Sequence, residues 1–336
     1  MTTRDDGGAR AAAGVRRGPF SDDDLEDYRA LRSAVGAVAV GRDVLGVSGP
    51  DALSYLQGQV SQDLAGLGTG ESVDSLLLSP QGKLDAVVRV SRLAGDDFVV
   101  DVDAGFGDAT TARLERFKLR VKVVVERLDW RCVALRGPQA ARVVEGGLPA
   151  GTALAPPFSW NGVAGVDLLG EGPTTPPGVR ACGAAAWEAV RVEAGIPVMG
   201  AELDERTIAA EADLLERCVS FTKGCYTGQE LVARLDARGN RVARHLRGLV
   251  VDELPGGAAA PLGAEVVAEG KVVGSVTSAA WSPSLGRPVA LAYVHRSITP
   301  PARVELRPAP ETPVASSRPA ATDDVIGAEV RALPLV

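Results

Sequence analysis

The chain has 336 residues with 46% apolar and 24% charged side chains, a composition that is ordinary for a globular protein with two or three domains. A formal net charge of −7 argues against nucleic acid as the main partner, because binding a phosphate backbone requires cations. No apolar run approaches the roughly 18 residues of a membrane-spanning helix, so no membrane partner is expected.

The first segment, residues 1–20, is rich in Gly, Ala, Arg and Asp and is predicted to be disordered. Its twin arginine, Arg16-Arg17, is followed by acidic rather than apolar residues, which is not the pattern of an export signal. The chain has few cysteines, and no two of them form a C-x-x-C pair: Cys132, Cys182, Cys218 and Cys225. These features predict a reducing, cytoplasmic compartment.

An internal repeat organises the next part of the chain. The stretches VLGVSGPDALSYLQG (44–58) and CVALRGPQAARVVEG (132–146) each predict an apolar strand, a Gly-Pro turn and a short helix. Fifteen residues with one shared plan indicate two related α+β domains in tandem, at 21–128 and 129–240.

Within these domains, short alternating runs bounded by turn residues predict strands. The first domain has three such runs, SVDSLLLS, LDAVVRVSRL and FVVDVD, and a helix near 107–118. The second has two strand-like runs and the helix AAAWEAVRVEAG. After Arg241, further short strands predict a small antiparallel barrel of five or six strands over 241–307. Residues 308–336 are predicted to form a Pro- and Ala-rich tail. The expected fold class is therefore α+β, with two tandem α+β domains and a C-terminal antiparallel β-barrel.

The stretch KGCYTGQE at 223–230 is the main candidate for chemistry. Thr227 and Glu230 have the spacing of a capping box, which predicts a helix N-terminus just after Cys225. Backbone N–H groups at that terminus, together with the cation of Lys223, would favour a thiolate. Cys225 is therefore predicted to be a reactive thiol supported by Lys223, and the alternative is a small apolar residue packed in a glycine-rich turn.

Other polar residues are candidates for binding. Glu193, near the end of a predicted helix, can accept two parallel hydrogen bonds from a pterin or guanine edge, and a solvated helix residue is the alternative. A local basic strip follows Cys225 and would hold a carboxylate tail, a phosphate or an acidic partner, or form a solvated face: Arg234, Arg238, Arg241, Arg244 and Arg247. Asp63 and Asp85 lie beside turns, and the alternative to a binding role is that each carboxylate caps its turn. With His245 and His295 as its only histidines, the chain offers neither a multi-histidine metal site nor a Ser-His-Asp triad.

Together these motifs resemble the folate-binding YgfZ family, which is related to the glycine-cleavage T-protein. Residues 223–230 match the family octapeptide K-G-C-[YF]-x-G-Q-E at every defined position. The upstream pattern R-x-E-x-G-x-P includes Arg191 and Glu193, and YLQGQVSQDL carries the family element that ends at Asp63. The resemblance covers roughly residues 35–310.

The resemblance implies two ferredoxin-like domains and a barrel arranged as a ring around tetrahydrofolate or a reduced folate derivative. It implies that Glu193 holds the pterin edge and that Asp85 lies near the reactive nitrogens of the folate. The remaining cofactor-binding residues that it implies are Arg191, Asp63, Tyr226, Gln229, Arg234 and Arg238.

The implied function is that of an accessory protein for assembly or repair of iron–sulfur clusters rather than a turnover enzyme. Its partners would be folate and iron–sulfur client enzymes or assembly proteins, with a transient cluster contact through Cys225. The alternative is a T-protein-like aminomethyltransferase that passes a one-carbon unit to tetrahydrofolate, a chemistry that needs no such thiol. A cysteine-nucleophile hydrolase would need a general base, which the shortage of histidine disfavours.

Overall fold

The computed structural model describes residues 19–252, 254, 258–309 and 325–336. The segment predicted to be disordered, 1–20, lies outside the described residues except for its last two. Residues 310–324 of the predicted tail also lie outside them. Among the described residues, no helix combines the length and apolarity that crossing a bilayer requires.

The secondary structure is mainly β. The α-helices are α1 Asp22–Ser33, α2 Ala52–Gln59, α3 Gly107–Arg116, α4 Ala140–Val144, α5 Ala184–Ala194, α6 Leu215–Cys218 and α7 Gln229–Asp236, with a short 3₁₀ helix at Ala209–Ala212. The strands before the barrel are β1 Gly36–Val40, β2 Arg42–Ser48, β3 Ser72–Leu78, β4 Leu84–Ala94, β5 Asp97–Asp103, β6 Val124–Leu128, β7 Arg131–Arg136, β8 Pro157–Trp160, β9 Val163–Gly170 and β10 Arg180–Ala181. The barrel strands are β11 Arg244–Val251, β12 Glu265–Ala268, β13 Lys271–Ser282, β14 Arg287–His295, β15 Ala302–Arg307 and β16 Ile326–Arg331.

These strands form two five-stranded sheets and a closed barrel. The first sheet has the order β3-β4-β5-β2-β6, and the second has the order β10-β1-β7-β9-β8. The barrel closes in the order β11-β14-β13-β12-β15-β16. The predicted α+β class with a C-terminal antiparallel barrel is thereby confirmed.

Two strands lie elsewhere than the sequence-based domain boundaries suggest. Strand β1, within the predicted first domain, pairs with β7 and β10 in the second sheet, and Gly41 alone separates it from β2 in the first sheet. Strand β16 lies within the predicted tail, 308–336, yet it pairs with both β11 and β15 and closes the barrel. Its buried Ala328 and Val330 point into the barrel core, which explains why so short a segment is held there.

The internal repeat is visible in the structure as two strand–turn–helix units, β2–α2 and β7–α4. Gly49 and Gly137 occupy the same place in each unit with φ of 116° and 118°. A Cβ on Gly49 would lie 2.4 Å from the carbonyl oxygen of Lys122, and one on Gly137 would lie 2.4 Å from that of Ala34. Both turns therefore need glycine, for the positive φ and for the close backbone approach.

Buried ion pairs connect the two sheets. Arg89 on β4 binds Asp101 on β5 at 3.0 Å and Asp167 on β9 at 2.6 Å, and Arg136 on β7 binds the other oxygen of Asp167 at 2.6 Å. Burial alone would raise the pKa of Asp167, but Arg136 and Arg89 hold it well below its usual range. Every carboxylate in this group is paired, as buried charges require.

Candidate functional site

A large cavity bounded by the described residues has a volume of about 740 Å³. It lies between the turn after β3, the start of β4, helix α3 and the segment 199–205. Its volume falls within the range of about 300–1,000 Å³ that is usual for small-molecule sites. Its apolar wall consists of Leu77, Phe106, Phe117, Met199 and Leu203.

The polar groups of this cavity come from β4 and α3, from the turn after β3, and from Asp204 and Glu205. Arg113 donates from Nε to Asp85 at 2.9 Å, from Nη1 to Gln59 at 2.9 Å and from Nη2 to the carbonyl of Leu78 at 3.0 Å. Its guanidinium also lies 4.0 Å from the ring centroid of Phe117. Asp85 is thus held in one orientation at the cavity wall, as a fixed acceptor for N–H groups.

A smaller cavity of about 130 Å³ lies between the two sheets and shares Leu203 with the larger one. Aromatic side chains of Phe158, Trp160 and Trp187 line it, together with Arg136. The buried Nε of Arg136 has no hydrogen-bond partner among the described residues. This space therefore offers flat apolar surfaces and a buried donor.

The predicted thiol, Cys225, is exposed on the loop that leads into α7. Lys223 anchors this loop, because its Nζ donates to the carbonyls of Gln57, Val60 and Gln62 at 2.8 Å each. Burial lowers the pKa of Lys223 to about 8. Lys223 therefore has a structural role in this loop, since all three ammonium protons are bound to backbone carbonyls, and its predicted support of the thiol stays a prediction.

The start of α7 also differs from the prediction. The helix begins at Gln229 with Gly228 as its N-cap at φ 83°, and no side chain caps it. A capping box formed by Thr227 and Glu230 is therefore absent. A Cβ at residue 228 would lie 2.6 Å from the carbonyl oxygen of Ser79, so contact with the first domain determines the turn. Cys225 is separated from the helix by three residues and lies outside its N-terminal turn.

The turn after β3 contacts both the large cavity and helix α7. Ser79, Pro80 and Gln81 line the large cavity, while Gly82 in the same turn packs against Leu231 of α7. Cys225 lines none of the cavities described here.

Glu193 and Arg191 are enclosed between α5 and the barrel. Glu193 is fully buried, accepts hydrogen bonds from the hydroxyls of Tyr28 and Ser282, and lines none of these cavities. Burial raises the pKa of Glu193. Arg191 binds Glu202 at 3.1 Å and donates to the carbonyl of Ile196. This placement argues against a pterin contact for either residue, because their hydrogen-bonding groups are already used within the fold.

The remaining predicted binding residues are dispersed. Asp63 is exposed and accepts from the Ala65 backbone and from Gln57, which lowers its pKa. Tyr226 is buried in a hydrophobic cluster, and burial raises its pKa to about 12. Three further residues lie on or just beyond α7: Gln229, half-buried, and Arg234 and Arg238, both exposed.

Sequence reasoning did not identify the residues that shape the large cavity, apart from Asp85. Arg113, Arg116 and Phe117 come from the end of α3, where the run RFKLRVK at 116–122 is an unusually cationic signal for an acidic chain. Among the described residues, no group of three or more His, Cys, Asp and Glu side chains is arranged to hold a metal ion.

Comparison with known proteins agrees with this architecture. Residues 17–161 match the profile of the GCVT N-terminal domain, and residues 244–317 match the glycine cleavage T-protein C-terminal barrel domain. An aminomethyltransferase of Rubrobacter xylanophilus is 30% identical over 297 residues, covering 80% of this chain and 78% of the relative. A Haemophilus influenzae protein named only as uncharacterized is 27% identical over 195 residues, covering 57% and 65%. The crystal structure of glycine cleavage system aminomethyltransferase T from Bartonella henselae has the same fold, with a TM-score of 0.74 at 23% identity, covering 93% of this chain and 89% of that one.

Proposed function

Because the chain belongs to the glycine cleavage T-protein family, we propose that it binds a reduced folate in the large cavity and uses Cys225 in the assembly or repair of iron–sulfur clusters in client enzymes. The observation that carries this proposal is the presence of a ligand-sized cavity together with an exposed thiol on a loop that Lys223 anchors to the first domain.

The residues of the cavity fit a reduced folate. Asp85, fixed by Arg113, accepts hydrogen bonds from ring N–H groups. Phe106 and Phe117 offer faces for the flat ring systems. Arg116 presents a cation to the glutamate carboxylates. When bound, tetrahydrofolate supplies a reduced ring that can carry one-carbon units.

The position of Cys225 supports action on a second protein. An exposed thiol that lines no described cavity is accessible to a macromolecule, and the cluster or sulfur species is then cargo rather than a resident cofactor. Lys223 keeps the loop attached to the first domain, so the thiol is presented at a defined position.

Calorimetric titration with tetrahydrofolate and with free pterin tests the folate site. We expect tetrahydrofolate to bind, and we expect Asp85→Asn to weaken it about tenfold, which corresponds to about 1.4 kcal/mol. Asp252→Asn, on the barrel surface, is the matched control and leaves the affinity unchanged. Absence of binding to the wild-type protein would contradict the proposal. If Asp85→Asn binds tetrahydrofolate with unchanged affinity, the ligand does not bind in this cavity.

A second candidate function is aminomethyl transfer to tetrahydrofolate, which is favoured by the relatives named aminomethyltransferase. A glycine-cleavage assay with the partner proteins of that system separates the two functions. Activity in this assay that Cys225→Ala leaves intact supports aminomethyl transfer, and absence of activity supports the accessory role.

A further inference from the structure

A second cavity, with a volume of about 590 Å³, lies where the second sheet meets the barrel. It is bounded by the turn between β8 and β9, by residues of the segment 212–217, and by Leu246 and Arg247 of β11. It shares no lining residue with the large cavity. It is therefore a separate space, and its volume is within the usual range for a small-molecule site.

Arg247 brings a half-buried guanidinium to this cavity. Its Nη1 donates to the carbonyl of the neighbouring Leu246 at 3.1 Å, and among the described residues no carboxylate lies at ion-pair distance from it. Burial lowers the pKa of Arg247, and the nearby charge of Asp213 opposes this shift. A guanidinium that is partly withdrawn from water without a bound carboxylate indicates a place for an anionic group of a ligand.

Two exposed carboxylates, those of Asp213 and Glu216, line the same cavity. Within the part of the chain that the structure describes, neither carboxylate has a cation at ion-pair distance. The other charged side chain of the wall, Arg217, is paired with Asp74 at 2.6 Å. The cavity therefore presents one unpaired cation and two unpaired carboxylates.

From this arrangement we propose that the second cavity binds a free basic amino acid, a ligand that carries one carboxylate and two cationic groups. Its carboxylate binds Arg247, its α-ammonium binds Asp213, and its side-chain cation binds Glu216. Asp213 and Arg247 attract each other without forming an ion pair, so a carboxylate and the adjacent ammonium can bind between them. The inference is independent of the proposed function, because neither the large cavity nor Cys225 takes part in this site.

The experiment is calorimetric titration of the full chain with L-lysine and with three analogues that each lack one of its charges. L-norleucine lacks the side-chain cation, Nα-acetyl-L-lysine lacks the α-ammonium, and cadaverine lacks the carboxylate. We expect L-lysine to bind, and each analogue to bind at least about tenfold more weakly, because each loses one charge-assisted hydrogen bond.

Three variants connect each charge of the ligand to one residue. We expect Arg247→Gln to lose the preference for L-lysine over cadaverine, Asp213→Asn to lose the preference over Nα-acetyl-L-lysine, and Glu216→Gln to lose the preference over L-norleucine. Asparagine tolerates the left-handed φ of 58° at position 213, so that substitution keeps the turn. The matched control, Arg296→Gln, removes an exposed barrel cation that does not line this cavity, and it keeps all three preferences.

Each outcome supports or overturns the inference. If the wild-type protein does not bind L-lysine, the site is refuted. If it binds L-norleucine as tightly as L-lysine, the basic class of ligand is wrong. Preferences that survive in all three variants, or that Arg296→Gln also loses, place the ligand elsewhere and overturn the inference. If Arg247→Gln does not fold, Asp213→Asn and Glu216→Gln decide, because both of those side chains are exposed.

Discussion

At the scale of single residues, Glu193 shows how a buried carboxylate can connect several elements of the fold. Its carboxylate accepts from Tyr28 on α1 and from Ser282 on the barrel, and the backbone N–H of Leu335 donates to its carbonyl. Glu193 therefore ties α1, α5, the barrel and the C-terminal segment together.

We predict that Glu193→Ala destabilises the protein without weakening folate binding. The substitution removes the acceptor of the buried Ser282 hydroxyl, while the Tyr28 hydroxyl keeps its hydrogen bond with Ser284, so we expect a cost of about 1–3 kcal/mol. Denaturant unfolding measures the loss, and titration with tetrahydrofolate measures the affinity. Glu305→Ala, at an exposed position on β15, serves as the control with little expected change. A tenfold loss of affinity with stability unchanged would restore the pterin role.

Only some residues of the candidate site could be predicted from the sequence. The octapeptide identified Cys225, and the local pattern placed Asp85 beside a turn. The roles of Lys223 and Gly228 depend on carbonyls of the first domain, more than a hundred residues away in the chain, which no local spacing reveals. Arg113 was missed for the same reason, because its partners lie on α2, β3 and β4.

At the scale of elements, the loop before α7 is held by contacts with the first domain rather than by its own secondary structure. The backbone N–H of Thr227 donates to the carbonyl of Gly58, and that of Ser220 donates to Ser61. Lys223 adds three further bonds to the same segment, 57–62. The loop is therefore ordered by long-range hydrogen bonds.

Replacing Lys223 by methionine tests this anchoring. We expect a loss of about 1–3 kcal/mol in the free energy of unfolding, because three carbonyls lose their shared donor. We also expect faster amide hydrogen exchange in the loop than in the barrel. Lys271→Met on the exposed barrel hairpin provides the comparison. If the loop exchanges at the wild-type rate in Lys223→Met, the anchoring role is wrong.

Strands with a clear alternation of apolar and polar residues could be predicted from the sequence. Strands that are defined by pairing with distant parts of the chain could not. The hairpin β4–β5 and the strands β13 and β14 follow from short apolar runs between turn residues. Strands β1 and β16 are short, and their partners lie far away in the chain, so nothing local assigns them to the second sheet or to the barrel.

At the scale of the whole molecule, the two sheets and the barrel form one connected frame. The paired charges of Arg89, Arg136 and Asp167 fix the sheets to each other, and α5 packs against both α1 and the barrel. On this frame the cavity that we propose to bind folate does not include Cys225, which lies exposed on the loop before α7. Ligand binding and thiol chemistry should therefore be separable by mutation.

We predict that Cys225→Ala keeps its tetrahydrofolate affinity within about twofold and fails to restore iron–sulfur enzyme activity in a strain lacking the protein. The thiol is exposed and supports no described cavity, so its loss removes reactivity without disturbing the ligand. Thr222→Ala, on the same loop with a hydroxyl near that of Ser220, is the control and restores activity. Asp85→Asn is expected to show the opposite change, because it weakens folate binding and leaves the Cys225 thiol intact. Full restoration by Cys225→Ala would mean that another part of the protein, rather than this sulfur, supports the client enzymes.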